Sequence, residues 1–183
     1  DLIARAQRRD PAAFDVLIER YGPCLYRYFY RVTGRRADSE DLLQELFVRL
    51  VSTIRQYEDT GRFEAWLFRI ATNLVRDRIR RIRTSREVKP KSTESDWSDE
   101  ALTQCADKFQ PQPLDRLHRT EELDRLQRAL NQLPEPERMV VLLRHYSQMS
   151  FREIADLMGT PLGTALARAH RGLTKLRELM TVE

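Results

Sequence analysis

The stretch FREIADLMGTPLGTALARAHRGLTKLRE, Phe151 to Glu178, carries Thr164, Arg168, His170, Arg171 and Lys175 along one helical segment. Hydroxyl, guanidinium and ammonium groups in such a row suit phosphate oxygens and base edges in a DNA major groove. The plainer reading of the same pattern is a helical hairpin with a solvated basic face. A second row, Arg69, Arg76, Arg78, Arg80, Arg81 and Arg83, lies near Tyr57, Phe63 and Trp66. Cations interleaved with aromatics suit opened DNA, where arginines hold the backbone and ring faces accept an unstacked base. A third cluster is acidic: Asp41 and Glu45 stand one turn apart with Gln44 beside them, by itself an ordinary solvated helix edge. Covalent chemistry finds little support. His118, His145 and His170 are scattered, and Cys24 and Cys105 lie far apart with no CxxC. No Gly-rich phosphate loop is present, so no cofactor and no metal are expected.

Helices must position these residues. Asp10-Pro11 reads as an N-cap followed by proline at the first helical position. Phe14, Leu17, Ile18, Tyr21, Leu25, Tyr28 and Phe29 then form one apolar stripe, and Gly22-Pro23 is expected to kink or split that helix. A third helix opens at Asp38-Ser39, with Leu42, Leu43, Leu46, Phe47, Leu50, Val51 and Ile54 inward. A polar loop, Tyr57 to Phe63, leads to a fourth helix from about Arg62 to Arg83, with Phe63, Trp66, Leu67, Ile70, Leu74 and Ile79 inward. The helical period returns at Leu114, with Leu117, Leu123, Leu126, Leu130 and Leu133 as its stripe. Pro134 restarts the chain, and Met139, Val140, Leu142 and Leu143 follow. Ser150 caps a short helix and Gly159 ends it in the left-handed conformation. Leu162, Ala165, Ala169 and Leu173 give the last helix a slim buried side.

The expected fold is all-α: two small helical domains, residues 1–83 and 114–183, joined by a flexible linker over 84–113 that is rich in Pro, Ser and acids. Trp97 stands out in that segment. A 30-residue disordered tether has a root-mean-square span of about 30 Å and a stretched limit near ~100 Å. It does not fix the separation of two DNA-reading surfaces, so a larger body must hold them. In 183 residues the net charge is +4 and 33% of residues are charged, with a pI near 9.3. Most of that charge is solvated helix surface, and its location matters more than its sum. No apolar run approaches the roughly 18 residues of a membrane span, and no signal peptide is visible. A cytoplasmic protein without membrane insertion is expected, although the sequence begins at Asp1 rather than Met.

LPEPERMVVLLRHYSQMSFREIADLMGTPLGTALARAHRGLTKLREL resembles region four of bacterial sigma factors, above all the extracytoplasmic-function (ECF) group. Ser150, Glu153, Ile154, Ala155, Pro161, Gly163, Thr164, Arg168 and Arg171 match that pattern in register. DSEDLLQELFVRLV and FEAWLFRIATNLVRDRIRR resemble sigma region two. Asp41, Leu42, Gln44, Glu45 and Phe47 match its first helix, and Phe63, Trp66, Leu67, Ile70, Ala71, Asn73, Asp77 and Arg80 match its second. The resemblance covers nearly the whole chain except the linker. It implies a factor that binds core RNA polymerase, at the clamp helices of the largest subunit and at the flap, and directs initiation at promoters. Asp41, Leu42, Gln44 and Glu45 would dock on the clamp helices. Tyr57, Asn73, Arg76 and Arg80 would bind the downstream promoter element, with Tyr57 a wall of a base pocket under the loop from Gln56 to Arg62 and Trp66 mostly core. Thr164, Leu166, Arg168, Arg171 and Lys175 would bind the upstream element, and the acidic linker would thread a basic channel of the enzyme. Many such factors are held by an anti-sigma protein. In one respect the chain departs from the pattern: the family's basic residue and serine before Arg168 are Leu166 and Ala167 here. The competing reading is an autonomous helix-turn-helix regulator that binds an operator without polymerase.

Overall fold

The computed structural model describes the backbone over residues 2–84 and 113–181, with side chains over 2–84 and 121–181. The chain divides into two compact units between Cys105 and Ala106. The expectations for the linker, with Trp97, Glu94, Asp96, Asp99, Glu100 and Asp107, lie outside the described residues. So do those for the side chains of Leu117 and His118. No strand occurs among the described residues, and none of their helices is long and apolar enough to cross a membrane.

The first unit contains α1 (Leu2–Gln7), α2 (Pro11–Thr33), α3 (Arg36–Thr53), a 3-10 turn (Ile54–Gln56) and α4 (Phe63–Thr84). Asp10 caps α2 by accepting from the Ala12 amide at 3.1 Å, with Pro11 first in the helix. Arg5 donates to the Asp10 carboxylate and holds its pKa below the ordinary value. Of the two outcomes expected at Gly22-Pro23, a kink or a split, the split does not occur: α2 runs unbroken through Pro23. One missing amide bond is outweighed because the helix buries residues on both sides of that position, from Leu17 to Val32. Helix α3 starts two residues before Asp38, and neither Asp38 nor Ser39 is its cap. Ser39 donates back to the Arg35 carbonyl at 2.7 Å, and the Asp38 carboxylate turns inward.

Side-chain pairs fix the layout. Tyr21 meets Phe63 at 5.6 Å between ring centroids, and the Tyr28 hydroxyl meets the Thr72 hydroxyl at 3.1 Å. The pairs ascend together, so α2 and α4 run parallel. Thr33 meets Ser39 at the α2–α3 turn while Phe47 lies against Gly22, so α3 runs antiparallel to both. The core is Leu17, Leu25, Tyr28, Phe29, Leu42, Leu46, Leu50, Leu67, Phe68 and Leu74. Burial of the Tyr28 phenol pushes its pKa far above the ordinary range. Val51, expected inside, is exposed. The amide of Gln7 donates to the Ile54 and Tyr57 carbonyls and so ties α1 to the start of the polar loop.

The second unit contains α5 (Pro113–Gln132), α6 (Glu135–Tyr146), α7 (Phe151–Met158) and α8 (Leu162–Thr181). Ser150 and Glu153 form a reciprocal capping box on α7. Gly159 takes φ 62°, and the Thr160 amide donates to the Ala155 carbonyl at 2.9 Å, which closes the helix end as glycine allows. Arg125 of α5 donates to the Met180 carbonyl at 2.6 Å and satisfies an end group of α8. The buried side of α8 is Ala165, Ala169 and Gly172. Leu162 and Leu173, expected there, are exposed. A Cβ on Gly172 would lie 2.9 Å from Val141 Cγ2 and 3.3 Å from Leu133 Cδ2, so only glycine lets α8 approach α6 this closely.

In the first unit, Arg78 of α4 hydrogen-bonds Asp38 of α3 and reaches Asp41 at 3.5 Å. Asp38→Ala removes the buried partner of the Arg78 guanidinium and leaves it only the longer contact to the exposed Asp41. It is expected to destabilise the first unit by about 1–3 kcal/mol, read in chemical unfolding.

Candidate nucleic-acid interface

Helix α4 has one face committed to the core through Phe63, Leu67, Phe68, Ala71, Thr72, Leu74 and Val75. Residues spaced three and four apart share a helix face. Arg69, Asn73, Arg76 and Arg80 follow that spacing, and all four are exposed. Arg62 before the helix and Arg83 near its end extend the same row. Five arginines and an amide thus make one outward stripe. Arg80 also pairs with Asp77 at 3.0 Å, an exposed contact of little energy that leaves the cation available for exchange. Arg78, counted with the row in the sequence, sits on the opposite side and is held by α3. Its role is to anchor the helix.

The aromatic cluster at the head of α4 differs from expectation. Tyr57 is 8% exposed, with its ring centroid 4.8 Å from Trp66 and 5.4 Å from Phe63. It is core, whereas Trp66 is half-buried. The 3-10 turn and the Gln7 bond draw the Tyr57 backbone inward, and the ring follows. Its hydroxyl is buried with no protein hydrogen-bond partner. Such an orphan costs about 1–3 kcal/mol. The adjoining loop is ordered by Asp59, whose carboxylate accepts from the Gly61 amide at 3.0 Å.

Helix α3 presents Asp41, Gln44 and Glu45 outward, with Glu45 3.9 Å from Arg49. Leu42 is 1% exposed. It belongs to the core and supports this edge from beneath, because its position one residue from Asp41 rotates it onto the leucine ridge. What the sequence missed is Val48, 71% exposed, which lies one turn beyond Gln44. With Val51 it sets apolar area beside the acids. The available signal was its place outside the leucine stripe.

On α8, Thr164, Arg168, Arg171 and Lys175 share one flank by spacing. Arg171 and Lys175 are exposed, and Thr164 and Arg168 are half-buried. Leu166 is not among them. It falls on the opposite flank with Leu162 and Leu173, all three exposed. His170 is exposed between the flanks. The Nε of Arg171 donates to Glu137 Oε1 of α6 at 2.8 Å, and Lys175 pairs with Glu178 at 3.4 Å. Among the described residues no three His, Cys, Asp or Glu side chains converge as a metal site would require.

Comparison with known proteins assigns both units. The family model for Sigma-70 region 2 matches residues 17–85, and that for Sigma-70, region 4 matches residues 123–176. The ECF RNA polymerase sigma factor SigE of Mycolicibacterium smegmatis is 34% identical over 171 residues, which is 92% of this chain and 62% of that protein. The chain therefore spans less than two thirds of SigE. The ECF RNA polymerase sigma factor SigW of Bacillus subtilis is 30% identical over 176 residues, covering 96% of this chain and 93% of SigW. Among solved structures, CnrH in complex with the cytosolic domain of CnrY shares the fold with a TM-score of 0.63 at 25% identity, over 98% of this chain and 94% of CnrH. The two region models in order, and SigW matched at 30% identity over 93% of its length, mean that this chain belongs to the ECF group of RNA polymerase sigma factors.

Proposed function

We propose that the chain is a promoter-selecting subunit. It binds core RNA polymerase, holds the opened downstream promoter element with the unit formed by residues 1–83, and contacts the upstream element with the unit formed by residues 114–183. The observation that carries this reading is the single outward stripe on α4, Arg69, Asn73, Arg76 and Arg80, from which Arg78 has been withdrawn. Arginines in that row would hold phosphates while Asn73, with a donor and an acceptor, reads a base edge. Tyr57 would become a pocket wall by rotating out of its cluster. The orphan hydroxyl then gains a partner, which offsets part of the few kcal/mol needed to unstack a base.

The outward edge of α3, with Asp41, Gln44 and Glu45 beside Val48 and Val51, would dock on the clamp helices of the largest polymerase subunit. Charge there would steer the encounter, and the exposed valines would supply apolar burial. Leu42 contributes only by holding that edge in place. Thr164, Arg168, Arg171 and Lys175 would meet the upstream element on one flank of α8, with Leu166 on the other against an apolar feature such as a thymine methyl. Since the CnrH structure contains the cytosolic domain of CnrY, a regulatory protein that covers these surfaces is a further expected partner. The chain itself would perform no covalent step, and it would act where the polymerase is, in the cytoplasm. The autonomous-regulator reading is disfavoured, since the relatives are sigma factors over more than nine tenths of this chain.

Run-off transcription with purified core polymerase tests the reading. Core plus chain is expected to yield a transcript with one defined start, and core alone none. A chain that leaves core polymerase unselective, yet binds a duplex operator tightly by itself, would overturn it. Free chain should bind duplex DNA only in the non-specific range of about 10⁻⁴–10⁻⁶ M.

Point variants separate reading from anchoring. Asn73→Ala is expected to remove about 1–3 kcal/mol of base discrimination, and Arg76→Ala to lower the salt dependence of promoter binding by about one charge. Arg78→Ala should instead lower the stability of the first unit. Equal effects of Arg76→Ala and Arg78→Ala on DNA binding, at matched stability, would contradict the assignment.

A further inference from the structure

We propose that Glu137 is a positioning residue for promoter recognition: it holds the Arg171 side chain by its Nε so that the two terminal nitrogens face outward toward a base edge. The inference deepens the function proposed above and rests on it. Three features of the second unit converge here. The first is the bond itself, Arg171 Nε to Glu137 Oε1 at 2.8 Å. The second is its asymmetric setting: the Arg171 side chain is 58% exposed and that of Glu137 14%. A carboxylate embedded on one side and a guanidinium projecting from it describe a mount and its payload, unlike the mutual pairs of a solvated surface such as Lys175–Glu178. The third is Gly172. A Cβ there would stand 3.5 Å from the Glu137 Cβ and closer still to Val141 and Leu133. The missing side chain next to Arg171 is what brings α8 near enough to α6 for the bond to form.

The chemistry follows from the fork of the guanidinium. Its five N–H groups occupy three nitrogens in one plane. A partner on Nε fixes that plane and leaves the terminal pair free, in the arrangement that bidentate recognition uses. An unrestrained arginine must lose rotamer freedom on meeting its target, and a restrained one has lost it already. The same bond nearly cancels the local charge. Arg171 then adds little to sequence-independent attraction for phosphates, and its contribution is weighted toward discrimination. Glu137 lies in the first turn of α6, an end of the helix that suits an acidic side chain. This support matters more in a chain with Leu166 and Ala167 before Arg168, where side chains that donate to base edges are absent.

The test uses the full chain with core RNA polymerase on a promoter pool randomised through the upstream element, and reads base preference from the transcripts. Compared with wild type are Glu137→Ala, Glu137→Gln, Arg171→Ala and the double variant Glu137→Ala/Arg171→Ala. Glu137→Ala is expected to flatten preference about five- to tenfold at the positions flattened by Arg171→Ala and nowhere else. The double variant should be no worse than Arg171→Ala alone. Glu137→Gln keeps an acceptor without charge, and about a two- to threefold loss at the same positions is expected. If Glu137→Ala does not fold, as thermal unfolding would reveal, the Gln variant decides. Unchanged preference, losses that add to those of Arg171→Ala, or a sharper profile without Glu137 would each overturn the proposal while leaving the promoter-selecting function intact. Wild-type holoenzyme that selects no sequence from the pool would overturn that function and this proposal with it.

Discussion

The commitment of one face of α4 to the core decides what the first unit has to offer. Phe63, Leu67, Phe68, Ala71, Leu74 and Val75 must leave water together, and the Tyr28–Thr72 hydrogen bond fixes the rotation at which they do so. Once that rotation is set, every other side chain of the helix has its direction assigned. Arg69, Asn73, Arg76 and Arg80 face outward, and Arg78 points back to Asp38. The arginine-rich composition of this helix is therefore two populations with separate tasks. Burial sorts them, since the residue type is the same.

The second unit follows the same logic with smaller side chains. Ala165, Ala169 and Gly172 give α8 a narrow buried face, which lets it sit close to α6 and leaves most of its circumference in solvent. Close approach makes the Arg171–Glu137 bond possible, and the broad exposed arc separates a polar flank from a leucine flank. In both units a cation is anchored by a carboxylate on a neighbouring helix. Arg78 is held with its charge consumed. Arg171 is held with its tip free.

Much of this was legible in the sequence, and the failures have common physical causes. Caps at Asp10 and Ser150 and the left-handed Gly159 were readable because they depend on local backbone chemistry. The apolar stripes were readable where hydrophobic residues recur at helical spacing. Tyr57 was not, because a turn outside the helical period places it, and the ring cluster it joins is assembled from three separate elements. Gly172 was invisible as a core position because periodicity counts side chains, and a glycine is buried by their absence. Leu162 and Leu173 were misassigned for the complementary reason: they satisfy a three–four spacing, but on a row next to the one that packs. Val51 was misread by one step around α3. Pro23 shows tertiary packing overriding a local preference. The candidate surfaces rested on the family resemblance, while the pairing of Arg171 with Glu137, residues 34 apart in sequence, required the fold.

The central claim is that α4 and α3 present different partners with different faces, and that the DNA-facing stripe is engaged only within the polymerase. Site-specific photocrosslinking on promoter DNA measures this most directly, with a probe placed in turn at Asn73, Arg76, Arg78 and Val48. Adducts to DNA are expected from positions 73 and 76, adducts to the largest polymerase subunit from position 48, and no DNA adducts from position 78, with the DNA adducts lost when core polymerase is omitted. DNA adducts from position 78, or equal yields from the free chain, would contradict it.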